Sequence, residues 1–186
     1  NKLDTHSPAV IAYSAATSGR PKGAILTHFN LINAAKNLTE QEEMNKNDDY
    51  FSFLPLSWVN EKVVSTVVPL IIGFATNFPE KPHTVMVDLR EIGPQTLLAP
   101  PRVYQSLMSN FIIRMEGASW FKRKVYGLFK KYGDKKAVAD ANNEVLSGMD
   151  KLMYFLGDAM IFSAIRDHLG LGRLRRAYVA GAADRK

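Results

Sequence analysis

Five short apolar runs, set apart by longer stretches with helical spacing, constrain this chain more than any other feature. They cover residues 9–13 (AVIAY), 50–54, 74–78, 95–99 and 174–180. Each is too short for a buried helix, and each reads as a buried strand. Helices are expected between them: from an N-cap at Thr27 to about residue 44, over 60–72, as a turn or two over 83–92, over 102–115, and over 144–169. Pro55 closes the second strand, Pro100 and Pro101 stop the fourth, and Gly170 and Gly172 end the last helix. Strands that alternate with helices predict an α/β fold, with a mainly parallel sheet flanked by helices. The chain stops just after a strand-to-small-residue turn, where an open α/β sheet forms its ligand site. It is therefore expected to be an internal fragment of a longer protein.

Composition narrows the function classes. Of 186 residues, 46% are hydrophobic and 23% charged, enough apolar material for a real core. There is no cysteine, which excludes disulfides and thiolate chemistry and fits a reducing compartment. No basic-then-apolar leader is visible, and the longest apolar run, 63–75, is broken by Ser65, Thr66 and Pro69. A cytoplasmic protein is expected. His6, His28, His83 and His168 are scattered, so no metal site is expected within these residues.

The net charge of +6 lies in one place: residues 119–136 hold seven Lys or Arg and one Asp. That footprint is too narrow for nucleic acid. Within it Phe121, Val125, Leu128, Phe129 and Tyr132 fall on one helical face, with the cations elsewhere. Two readings stand. The segment is peripheral to an anionic membrane, or it packs on the domain with a solvated cationic face.

The segment 13–24 reads YSAATSGRPKGA. A strand that runs into small residues can present several backbone N–H groups to an anion. Ser14, Thr17 and Ser18 add hydroxyls, Gly19 and Gly23 permit close backbone approach, Pro21 stiffens the turn and Lys22 adds a point charge. The spacing is not that of a Walker A loop, because Lys22 is followed by Gly23. Phosphate binding and a solvated turn with a surface lysine both fit these residues.

The same stretch resembles the phosphate-binding signature of adenylate-forming enzymes, Tyr-Thr-Ser-Gly-Thr-Thr-Gly-x-Pro-Lys-Gly. Tyr13, Thr17, Gly19, Pro21, Lys22 and Gly23 match it, Ser14 and Ser18 are hydroxyl exchanges, and Leu26-Thr27-His28-x-Asn30-Leu31 continues the likeness. FLPLSWVNEKV (53–63) is similar to the acyl-pocket segment of long-chain fatty-acid–CoA ligases. ATNFPEKPHTVMVDLREIGPQTLLAPPRVYQSL (75–107) is similar to the same group. RRAYVAGAA (175–183) resembles the family's adenine-contacting strand and turn.

The resemblance implies part of the large N-terminal adenylation domain of such a ligase. It implies ATP, Mg²⁺ and coenzyme A as partners of a fatty acid, with acyl-adenylate formation followed by transfer to coenzyme A. Lys22 and Thr17 would serve catalysis. Ser14, Thr17, Ser18, Gly19, Pro21, Lys22 and Gly23 would hold the ATP phosphates, Gly181, Ala182 and Ala183 would meet adenine, and Trp58 would wall the acyl pocket. Glu61 is expected to be a surface or helix-start residue.

The chain departs from the pattern at Ala15, Ala16 and Ala180, where the family has Ser, Gly and Gly. A Cβ at position 16 disfavours positive φ where phosphate comes close. These changes favour a rival: a nucleotide- or lipid-binding module that no longer catalyses. An adenylating enzyme for another carboxylate, or one that passes the acyl group to a carrier protein, is a further alternative. The Tyr-Gly-x-Thr-Glu motif, the ribose-binding Asp and the C-terminal lysine are not in these residues. We therefore expect the 186 residues alone to release no pyrophosphate from ATP and palmitate; measurable turnover in that assay would contradict the reading.

Overall fold

A computed structural model describes residues 4–14 and 19–180. Six strands and eight α-helices are present among them. The strands are β1 (Pro8–Tyr13), β2 (Gly23–Thr27), β3 (Asp49–Phe51), β4 (Ala75–Asn77), β5 (Thr96–Ala99) and β6 (Arg176–Val179). The helices are α1 (His28–Gln41), α2 (Val59–Lys62), α3 (Val68–Ile72), α4 (Val85–Ile92), α5 (Pro101–Glu116), α6 (Trp120–Asn142), α7 (Gly148–Gly157) and α8 (Ser163–His168). A π-helical turn, Val63–Val67, joins α2 to α3, and a second, Asp158–Phe162, joins α7 to α8.

The expected parallel sheet is there, with strand order β4-β3-β5-β6 and every pair parallel. Both of its faces are buried, and the strand residues alternate between two cores. Tyr50 and Leu98 join Leu31, Ala35, Val64 and Val68 on the face covered by α1 and the α2–α3 segment. Phe51, Leu97 and Ala99 join Leu89 and Leu107 on the face covered by α4 and α5. A period of two with apolar residues on both sides is what a sheet sandwiched by helices requires.

The first apolar run departs from expectation. β1 is not a member of this sheet; it pairs antiparallel with β2 as a separate hairpin. Only Ala12 of that run is buried, whereas Ile11 and Tyr13 are more than half exposed. An apolar run of this length carries no information on its pairing partner, and here the nearest complementary strand in sequence takes it. The hairpin is tied to the rest through Ala9, Val10 and Leu26, which pack on the α1 core. Thr27 caps α1 as expected: its Oγ1 accepts from Asn30 N–H, and Asn30 Oδ1 accepts from Thr27 N–H.

The expected helix over 60–72 forms with an interruption that its sequence explains. Pro69 has no N–H, so the carbonyl four residues earlier, on Ser65, loses its helical donor. The π turn falls at that point, and the Ser65 carbonyl accepts instead from Thr76 Oγ1 on β4 at 3.0 Å.

The polar stretch 134–143 proves to be helical rather than a break, because α6 runs on through Asn142. Its stability comes from α7. Gly157 lies under the Phe129 side chain, where a Cβ would come within 2.8 Å of the Phe129 Cβ, and Gly133 lies under the Phe162 ring. Lys135 pairs with Asp150 at 2.8 Å across the two helices. Of the expected apolar face of α6, Phe129 is buried, while Phe121 and Leu128 stay exposed.

The N-terminal edge of the sheet is held by charges. Arg176 on β6 donates to Asp48 Oδ2 at 2.9 Å, to the Glu42 carbonyl at 2.6 Å and to the Glu43 carbonyl at 2.8 Å. The last two close the C-terminal end of α1, where Glu43 takes a left-handed φ of 48° and ends the helix short of residue 44. Removing one partner of a buried ion pair leaves an uncompensated charge, at a cost of about 3–5 kcal/mol. Arg176→Ala in the full-length protein is expected to lose that much in urea unfolding. Arg175→Ala, at an exposed side chain 3.9 Å from Asp48, is expected to change stability by about 0.5 kcal/mol or less.

Candidate functional site

The strand order locates the first candidate region. From β3 the chain crosses to β4 on one side, then returns to β5 on the other, so the order reverses between β3 and β5. Open α/β sheets bind ligands beyond the C-terminal ends of their strands at such a switch point. The residues there are Ser52 and Phe53 after β3, Phe78 after β4, Pro100 after β5 and Ala180 after β6. A cavity of about 540 Å³ opens at this edge, lined by Ser52, Phe53, Leu54, Leu56 and Phe78 among others. Trp58 sits nearby as the N-cap of α2, 40% exposed, and is not among the residues that line this cavity.

The second region is the loop between β1 and β2. Ser14 closes its base twice: its N–H donates to the Lys22 carbonyl at 2.9 Å, and its Oγ accepts from Lys22 N–H at 3.1 Å. Gly19 has φ of 152°, with open space where a Cβ would stand. Gly23 pairs with Tyr13, and a Cβ there would come within 2.9 Å of the Ile11 side chain. Pro21 and Lys22 are exposed. The loop ends in a strand, not a helix. The five residues of β2 put roughly 16 Å between Gly23 and the N-terminus of α1, too far for the α1 dipole to act at that end of the loop. Ala15, Ala16, Thr17, Ser18, Gly181, Ala182 and Ala183 lie outside the described residues. Among the described residues, no three or more His, Asp or Glu stand together to hold a metal ion.

A family model described as AMP-binding enzyme matches residues 1–183. The chain belongs to the AMP-binding enzyme family.

Curated relatives are fatty-acid ligases by name. Long-chain-fatty-acid–CoA ligase ACSBG2 of Mus musculus is 27% identical over 172 residues, 88% of this chain and 25% of that protein. The peroxisomal long chain acyl-CoA synthetase 6 of Arabidopsis thaliana is 28% identical over 168 residues, 90% of this chain and 22% of that protein. The chain thus spans about a quarter of the length of the curated relatives it matches. Among solved structures, McyG A-PCP complexed with phenylalanyl-adenylate aligns with a TM-score of 0.54 at 16% identity, covering 63% of this chain and 19% of that one. The ATP-bound RpMatB-BxBclM chimera B3 aligns with a TM-score of 0.50 at 24% identity, over 57% of this chain and 22% of that one. These likenesses establish the fold.

In this AMP-binding family member, one residue differs sharply from its sequence reading. Glu61, expected at the surface, is fully buried. Tyr50 Oη and Ser52 Oγ each donate to it at 2.5 Å, one to each carboxylate oxygen. The three residues link β3, its C-terminal exit and α2. Burial holds the Glu61 carboxyl above its ordinary range, and the two donated hydrogen bonds offset part of that shift. Burial and the Glu61 carboxylate both push the Tyr50 phenol up. The only signal in the sequence is indirect: Glu61 stands three residues after Trp58 and two before the apolar pair Val63-Val64. Asp88 is similar. It is buried and accepts from Glu80 N–H at 3.0 Å and Thr84 Oγ1 at 2.6 Å, so this member of the Asp-Leu-Arg-Glu-Ile stretch orders the loop leading into α4.

The raised Glu61 group fixes a pH dependence. Below its unfolded value of 4.5 the carboxyl is protonated in both states, and the cluster contributes fully. Above that value the unfolded chain ionises first, so stability falls as pH rises toward the folded pKa. Glu61→Gln keeps the shape and cannot ionise. The urea midpoint of the native protein is therefore expected to fall relative to that of Glu61→Gln as pH rises above 4.5. A constant difference over that rise would contradict the buried, raised carboxyl.

Proposed function

We propose that the protein carrying this chain uses ATP to activate a long-chain fatty acid as an acyl-adenylate, with release of pyrophosphate, and transfers the acyl group to coenzyme A. The observation that carries this reading is the match of residues 1–183 to the AMP-binding enzyme family, together with relatives named as long-chain ligases at 27–28% identity. The loop 14–23 is its phosphate-binding element, and the basic segment 119–136 is a part of the same domain without a catalytic role.

Within this reading Lys22 neutralises charge on the β and γ phosphates and steadies the departing pyrophosphate. Thr17 and Ser18 donate hydroxyls, and Gly19 and Gly23 let the backbone approach. Pro21 restricts the loop before binding. Ser14 already accepts from Lys22 N–H and holds the loop ends together. Gly181, Ala182 and Ala183 follow β6 and meet the adenine ring. Trp58, the N-cap of α2, walls the acyl chain. Transfers at phosphorus depend chiefly on positioning and charge neutralisation, which is what these residue types offer. Mg²⁺ supplies further charge neutralisation when it arrives with the nucleotide, and no residue described here is assigned to it. A second reading, a nucleotide- or lipid-binding module without turnover, is favoured by Ala15 and Ala16.

Loss of a charge-assisted phosphate contact of about 1.5–3 kcal/mol corresponds to roughly 10- to 100-fold. Lys22→Ala in the full-length protein is expected to lower palmitate-dependent pyrophosphate release by that factor while leaving the circular dichroism spectrum unchanged. A native rate in Lys22→Ala would remove Lys22 from the phosphate site. Absence of pyrophosphate release in the native protein, with ATP still bound, would favour the second reading.

A further inference from the structure

We propose that the trough between α5, α6 and α8 is a binding site for a single-chain amphiphile with a carboxylate head, a long-chain fatty-acid anion, distinct from the region around loop 14–23. The cavity there measures about 450 Å³, within the range of roughly 300–1,000 Å³ typical of small-molecule sites. Its walls are apolar, formed by residues such as Phe111, Val125 and Ile165. A second recess of about 430 Å³ shares Phe111 and Ile165 with it, so the apolar lining continues along α5 and α8. The space suits one extended hydrocarbon chain and has no counterpart among the residues assigned to ATP.

The head group follows from the polar atoms. Arg114, Lys122 and His168 are the titratable residues of the lining, and no carboxylate lines it. Arg114 lies in the last turn of α5 and Lys122 in the first turn of α6, so two cations flank the short turn between these helices. The N-cap of α6, Ser119, makes no side-chain capping bond, so the first N–H groups of this 23-residue helix add to the positive potential at that end. Arg90 Nη2 lies 3.1 Å from His168 Nδ1. A guanidinium can only donate, so Nδ1 accepts and the ring hydrogen is on Nε2, a further donor. With Arg114, Lys122 and His168 in its own lining and no acid there, the trough is complementary to an anionic amphiphile and rejects a cationic one; Asp134, the carboxylate of the adjoining recess, shares that recess's lining with Lys130 and Arg166.

The π turn Asp158–Phe162 supports a built site. It contributes Met160 and Ile161 to the trough, and Arg166 clamps its first residue, Asp158, with two hydrogen bonds of 2.6 and 3.0 Å. Interruptions of this kind occur frequently where helices form functional sites. A recess, rather than a flat basic face, argues for one chain entering the protein over a bilayer surface. The proposal rests on the adenylating reading in one respect only, that a fatty acid is at hand.

The test uses the full-length protein with its adenylating site filled by a non-hydrolysable palmitoyl-adenylate analogue. Cis-parinarate is then titrated by fluorescence and displaced with palmitate. Saturable binding is expected to persist. Lys122→Glu, at an exposed position, and Ala164→Trp, which fills the trough from the exposed side of α8, are each expected to weaken it roughly 10-fold or more. Palmityl alcohol, without the carboxylate, is expected to displace poorly, and both variants are expected to release pyrophosphate at the native rate. Loss of all binding once the analogue is present, or equal affinity in native and variant proteins, overturns the proposal. So does adhesion to phosphatidylserine vesicles that Lys122→Glu abolishes while cis-parinarate binding stays unchanged. If the adenylating reading alone is wrong, the analogue does not bind and no pyrophosphate appears, yet cis-parinarate affinity still falls in the two variants.

Discussion

The Arg176 guanidinium is the contact on which the arrangement of this chain depends. It reaches from β6 to Asp48 at the start of β3 and to two carbonyls at the end of α1, more than 125 residues earlier in sequence. A planar fork with fixed donors can serve three acceptors in one geometry, which an ammonium on a flexible stem cannot. Asp48 is almost fully buried, so its charge is tolerable only while that fork is present. Around the pair, Asp49 N–H donates to Gln95 Oε1, and the Arg175 and Arg176 N–H groups donate to the Gln95 carbonyl. The three strands β3, β5 and β6 are thereby registered at their N-terminal edge by polar atoms rather than by apolar contact.

The opposite edge is built differently. There the strands run out into Ser52, Pro100 and Ala180, residues that are small or lack a donor. The polar cluster of Tyr50, Ser52 and Glu61 lies just beneath and fixes α2 against β3. One edge is tied by polar contacts, and the other carries the point where the strand order reverses. The Pro69 interruption serves the same region, because the carbonyl it frees is taken by Thr76 and anchors the helix after Trp58 to the outer strand.

Much of this was legible in the chain. Thr27 and Asn30 spell a capping box, Pro100 and Pro101 mark the entry to α5, and the short β-rich runs mark four strands of the parallel sheet. The loop 14–23 stood out through its own chemistry and through its likeness to a known signature. The buried acids were not legible. Glu61 and Asp88 look like surface residues, because a carboxylate is normally solvated and its burial depends on donors supplied by other elements. The length of α6 was not legible either. Its polar second half is held by Asp150, which pairs with Lys135, and by Phe162, which covers Gly133, both on the far side of a turn.

The sequence by itself determined the four short runs that form the parallel sheet, most of the helices between them, and where proline and glycine stop them. Those are local properties, set by side-chain branching, missing donors and backbone freedom. Only the tertiary structure decided that the first strand pairs as a separate hairpin, that Arg176 closes α1, that Glu61 is buried, and that α5, α6 and α8 enclose a cationic apolar trough. Each of these depends on atoms brought together from distant parts of the chain, and pairing, desolvation and enclosure arise only after that approach.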